Sequence, residues 1–189
     1  MLDSHLKPLR LLLLVLSLFL IFSCDDDDPI DQDENETIVG LWNYDSQTLE
    51  FYVNGDKLST EEAELYFSIL GYDLESFQVP EDATFEFVAD GTFIGNAPDY
   101  DQQTGSWELS EDEKTLSISS NSGILFIDFD SLPDDFKNLI FEEDGSIAFE
   151  IVTLTDTDAS VYISKTGPVE ISSTVTLNLR TDLTINLTK

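Results

Sequence analysis

From Thr37 onward, apolar and polar residues alternate with a period of two, the spacing of a strand that buries one face. The alternation predicts strands over 38–44, 47–53, 83–89, 92–94, 104–109, 115–119, 124–129, 138–142, 146–154, 160–165 and 169–187. Asn54-Gly55, Asp90-Gly91 and Asp144-Gly145 accept the positive φ of tight hairpins, and Gly167-Pro168 marks a further break. Links this short join antiparallel neighbours, because a parallel crossover needs a dozen residues or more. In the last segment Ile171, Val175, Leu177, Leu179, Leu183, Ile185 and Leu187 share one parity, and their even neighbours are polar. A run of that length exceeds an ordinary strand, so a bend near Thr181-Asp182 is expected. One helix interrupts the pattern. Ser59 and Glu62 have the spacing of a capping box, Ala63, Tyr66, Phe67 and Leu70 fall on one helical face, and Gly71 is placed to end it. A second short turn of helix is expected over 132–138, and both are expected to cover a sheet edge or lie across the open end of a barrel.

Ahead of these strands lies an apolar run over 11–22, preceded by Lys7 and Arg10. It is too short to span a bilayer, which takes about 20 apolar residues, and it reads as a secretory signal over 1–23. Composition narrows the chemistry further. Thirty-nine acidic and eight basic side chains give a formal charge of −31, which repels a phosphate backbone and excludes nucleic acid as a partner. A hydrophobic share of 41% argues for a packed core despite that charge. The single cysteine, Cys24, excludes an intrachain disulfide and any cysteine-based metal cluster. The single histidine, His5, lies within the signal, so removal of 1–23 excludes Ser–His–Asp and Cys–His catalysis and histidine metal sites. Paired carboxylates remain as an enzymatic possibility, but so many acids make proximity uninformative. Asp99, Asp101 and Gln103 have the spacing of calcium ligands, yet Gly105 stands seventh rather than sixth and Ser110 stands where Glu is needed. A solvated turn is the expectation there. No catalytic residue, metal or cofactor is expected.

Ile21-Phe22-Ser23-Cys24 resembles the lipobox of bacterial lipoproteins, with Phe22 bulkier than is usual at its place. The resemblance implies cleavage after Ser23 and a lipid on Cys24, which makes the membrane a partner. Two or three acyl chains anchor firmly, at about 0.8 kcal/mol per buried methylene. Residues 24–36, beginning Cys24-Asp25-Asp26-Asp27-Asp28, form an acidic tether and resemble the surface-export signal of some Gram-negative lipoproteins. The implied location is the outer membrane, facing outward.

Gly40-Leu41-Trp42 opens the first strand and Gly105-Ser106-Trp107 a middle one. Asp90-Gly91-Thr92-Phe93 precedes the latter, and Lys114-Thr115-Leu116 follows it. On these short motifs residues 37–189 resemble the lipocalin-like domains of bacterial lipoproteins. The long segment 54–81 departs from the way lipocalins join their first two barrel strands. The implied fold is an all-β antiparallel barrel of meander topology with one short helix; a two-layer β-sandwich would use the same strands. In the family the first-strand tryptophan closes one barrel end under a basic side chain from the last strand. Those roles map onto Trp42 and Arg180, with an expected cation–π stack of about 0.5–2 kcal/mol. An eight-strand barrel is just wide enough to be filled by its own side chains or to hold one small ligand. The second case is the primary expectation and implies binding of a small apolar ligand without catalysis; the first is the alternative and implies a protein-interaction or assembly module on the cell surface. Asp130-Ser131-Leu132 also resembles an O-glycosylation acceptor.

Overall fold

The computed structural model describes residues 38–120, 123–126, 134–172 and 174–189. Cys24, the acidic tether and Asp130-Ser131-Leu132 lie outside the described residues. The strands are β1 Gly40–Val53, β2 Asp56–Lys57, β3 Thr84–Phe87, β4 Thr92–Asn96, β5 Gln103–Leu109, β6 Thr115–Ser120, β7 Ile147–Leu154, β8 Asp158–Ser172 and β9 Val175–Thr188. Two helices, α1 Thr60–Ile69 and α2 Asp134–Lys137, and a 3₁₀ turn Leu74–Phe77 fall between them.

Every strand pairing is antiparallel, and the order runs β1-β3-β4-β5-β6-β7-β8-β9 with β9 returning to β1. That last ladder closes eight strands into a barrel, a closure that a two-layer sandwich would lack. β2 is an extra arm on β1, formed where Asn54 (φ 53°) and Gly55 (φ 96°) turn the chain. The barrel wall is uneven. β1, β8 and β9 have 14, 15 and 14 residues, whereas β3 and β4 have 4 and 5. At about 3.3 Å per residue the three long strands rise some 30 Å past the short ones as a tongue.

β1 joins two of the expected strands through a bulge between Tyr44 and Ser46. The extra residue, Asp45, reverses parity: Trp42 points inward before it, and Gln47, Leu49 and Phe51 point inward after it. Other expectations fail. β9 runs through Thr181-Asp182 without a bend, because β1 and β8 both pair with it across that point. Gly167-Pro168 lies inside β8, not at a break. β7 pairs with β8 only over Ala159–Tyr162, so the missing N–H of Pro168 falls beyond any neighbour on that edge. The expected strand over 138–142 is not one: residues 138–140 instead finish the turn of α2 and bury Leu139 and Ile140.

Within the expected strand over 124–129, the described residues Ile124, Leu125 and Phe126 form a turn and are all buried. Leu125 (φ 61°) and Phe126 (φ 63°) are left-handed, a conformation bulky residues rarely adopt. The N–H of Phe126 donates to Oε1 of buried Gln103, and its ring lies against Phe85 and Tyr100. A short apolar run has no period that separates a strand from such an inserted turn.

The helices seal the tongue. Ser59 and Glu62 form the capping box, with Ser59 N–H donating to Glu62 and Glu62 N–H to Ser59 Oγ. α1 ends at Leu70, before Gly71 (φ 84°), and buries Ala63 and Phe67. Phe67 is the hub of an aromatic cluster, with ring centroids 4.6 Å from Phe51, 5.3 Å from Phe77 and 5.2 Å from Phe136. α2 is tied to β8 where the Glu170 N–H donates to Asp135, and Lys165 Nζ donates to Phe141 O.

Candidate functional site

The alternation that builds the barrel also fills it. Phe85, Phe87, Phe93, Leu116, Ile118 and Phe149 project inward from the short strands, and Leu125 enters from the turn. They leave a cavity of about 20 Å³. Two further cavities, where the tongue meets α1 and α2, hold about 10 Å³ each. A drug-sized ligand occupies several hundred cubic ångströms, so no such ligand fits any of these three spaces.

Trp42 is fully buried, and its Nε1–H donates to Ile38 O at 2.7 Å. The cation over its ring is Lys189, 4.5 Å from the centroid, not Arg180. Register explains the correction. Asn43 pairs with Thr188, which puts Lys189 beside Trp42; Arg180 pairs with Tyr52, ten residues further along β1 and about 33 Å away. The second tryptophan, Trp107, donates from Nε1 to Val88 O and meets Phe87 edge-on at 5.8 Å. Gly105, two residues earlier, lies so close to β6 that a Cβ there would sit 1.9 Å from Ser119 O.

Arg180 instead organises a polar cluster on the outer face. Its guanidinium stacks 3.7 Å above the Tyr52 ring, and Nε lies 3.3 Å from Asp182 Oδ1, which accepts from Ser164 Oγ at 2.6 Å. Tyr52 Oη and Lys57 Nζ both donate to Glu50. The bond from Lys57, followed by that from Tyr52, holds the Glu50 carboxyl below its ordinary value, and the same pairings raise Lys57 and Tyr52.

Beside this cluster lies an open cleft of about 390 Å³. One wall is β1 from Tyr44 to Phe51, and the other is Leu58, Ser59, Thr60, Ala63, Leu74 and Gln78. The uneven barrel creates it. β3 pairs with β1 only over Gly40–Asn43 and β2 only over Tyr52–Val53, so between them β1 has no strand on its outer edge among the described residues. Phe51 O turns that way and accepts from Leu58 N–H at 2.8 Å. In an antiparallel strand, backbone groups two residues apart point to the same side, so the N–H and C=O of Leu49 and Gln47 share that edge. The Gln47 side chain spans the gap at one end, donating to Phe77 O and accepting from Val79 N–H, each at 3.0 Å. The sequence signal for this cleft is the long segment 54–81 between the first two barrel strands; the bulge that aims Gln47 and Leu49 leaves no mark in composition.

No protein-family model matches the chain, and no curated protein matches it in sequence. The barrel architecture is what the chain has in common with lipocalins. Among the described residues, no helix is long and apolar enough to cross a membrane.

Proposed function

We propose that this is a lipoprotein, anchored through acylated Cys24 in the outer membrane of a Gram-negative bacterium and facing outward. Its filled barrel serves, without catalysis, as a protein-interaction module. The anchor rests on Ile21-Phe22-Ser23-Cys24 after the apolar run, and the outward orientation on the aspartates that follow Cys24. Packing supports an interaction module over a carrier of small apolar ligands: three interior spaces among the described residues hold about 10 to 20 Å³ each, and a roomy cleft faces solvent beside a free strand edge.

Each part has its own test. Labelled palmitate should enter the full chain made in such a bacterium and fail to enter Cys24→Ala; equal labelling removes the anchor. Protease added to intact cells should cleave the domain, and full protection reverses the orientation. A fluorescent long-chain fatty acid titrated into soluble Cys24→Ala protein should find no saturable site. Stoichiometric uptake would return the reading to a carrier of apolar ligands.

A further inference from the structure

The geometry points to β-strand addition at the free edge of β1: an extended, lysine- or arginine-bearing segment of a partner protein enters the cleft and pairs with Gln47, Leu49 and Phe51. This rests on the reading that the outside of the barrel, not its interior, does the binding. The edge presents what an added strand needs. The N–H and C=O of Leu49 and the N–H of Phe51 face the cleft with no strand beside them among the described residues. Over Gln47–Phe51 the edge spans about 13 Å, enough for a few ladder bonds. Main-chain bonds would supply affinity, and alternate side chains of the guest would supply specificity.

Charge selects the guest. Glu50 lines the cleft, and Glu61, Glu62 and Glu75 stand in the first turns of the helical segments that form its far wall, against Lys57 on the cleft lining and Arg180 in the cluster beside it. From residue 38 onward the chain carries 30 acidic and 6 basic side chains. A second copy of this chain is repelled from the edge, and a cationic strand is drawn to it. The same charge keeps the open edge from pairing with itself, which uncovered edges otherwise tend to do.

The test uses the lipidated full chain in detergent micelles and three labelled heptapeptides. One alternates lysine with valine, one alternates glutamate with valine, and one is the lysine peptide with alternate backbone nitrogens methylated. The lysine peptide should bind and slow exchange of the Leu49 amide by about tenfold or more. N-methylation keeps the charge but removes ladder donors, and should weaken binding by about tenfold. The glutamate peptide should not bind. Leu49→Pro removes an outward N–H that takes no part in the β1–β9 ladder, a substitution edge strands tolerate, and should weaken the lysine peptide by a similar factor. Thr48→Lys, at an exposed position of the cleft wall, should do the same through charge, and serves if the proline variant fails to fold. Equal binding of parent and N-methylated peptides, or binding without protection of Leu49, overturns strand addition while leaving an interaction module in place. Absence of binding by the lysine peptide also overturns it. Saturable fatty-acid uptake by the interior overturns the module itself.

Discussion

Gly105→Ala should be among the most damaging single-methyl changes in this protein. Gly105 pairs with Ser120 across the β5–β6 ladder. An added Cβ would lie 1.9 Å from Ser119 O and 2.9 Å from its carbonyl carbon, where ordinary contact begins near 3.4 Å. Both obstacles are backbone, so no side-chain rotation relieves them; the strands must separate by more than an ångström. Overpacking of this kind costs about 1–3 kcal/mol, and losing one or two ladder hydrogen bonds adds about 0.5–1.5 kcal/mol each. The stiffer unfolded chain returns about 0.4–1 kcal/mol. The balance is a loss of roughly 3 kcal/mol, or about 6–12 °C in Tm for a domain of this size. Thermal unfolding followed by tryptophan fluorescence reads it directly, since Trp107 is buried in the same strand. Gly95→Ala is the internal control. Its Cβ would find Phe126 Cζ at 3.4 Å and Gln103 Cβ at 3.6 Å, so its Tm should stay within about 3 °C of the parent. If Gly105→Ala also melts within that range, the β5–β6 approach is wider than described and the steric account of the Gly105-Ser106-Trp107 motif is wrong.

Phe67→Ala should cost about 3–5 kcal/mol in urea unfolding, because three aromatic rings lose their common neighbour; a cost under about 1 kcal/mol would mean that α1 does not pack on the tongue. The hydrogen bonds from Ser59 N–H and Oγ hold the Glu62 carboxyl below its ordinary value near about 4.3, so its stabilising effect is complete above that pH and fades as pH falls through the lowered folded value. The Tm gap between parent and Glu62→Ala should therefore narrow below about pH 4, and a gap unchanged between about pH 7 and pH 3 would refute the capping role. Lys189→Ala should move the NMR resonance of the Trp42 indole N–H while Arg180→Ala leaves it in place; the reverse result would restore the Arg180–Trp42 pairing.

Local rules carried well from sequence to structure. The capping box at Ser59, the stop at Gly71 and the Asn54-Gly55 hairpin all depend on a few adjacent residues, and each formed where its chemistry required. The alternation likewise located β3 to β7 to within a few residues at each end. What stayed illegible depends on counting across ladders. One inserted residue, Asp45, reverses the faces of β1; the alternation marks it as a gap between 44 and 47, but nothing in hydropathy shows that one strand runs through that gap. Assigning Arg180 to Trp42 required the β1–β9 register; only that register shows that the chain's last residue, Lys189, reaches the indole. Ile124, Leu125 and Phe126 look like a strand because apolar burial is all that a three-residue run records. The cleft was legible only as an unusually long connection, since an unpaired edge is defined by what the neighbouring strands fail to reach.

The closure of the barrel by its first and last strands bears on when the fold can form. The β8–β9 hairpin is local and needs only a tight turn, but β1 finds its long partner some 130 residues downstream in β9, spanning Asn43–Thr188 at one end and Val53–Leu179 at the other. Long-range pairing of this kind is slow, and it waits on the whole intervening chain. A polypeptide delivered N-terminus first would hold β1 unpaired along that side until β9 arrived. Delivery of the β9 stretch Leu179–Thr188 thus becomes the committing event, and truncation within β9 would leave an open sheet with two exposed edges rather than a slightly smaller barrel.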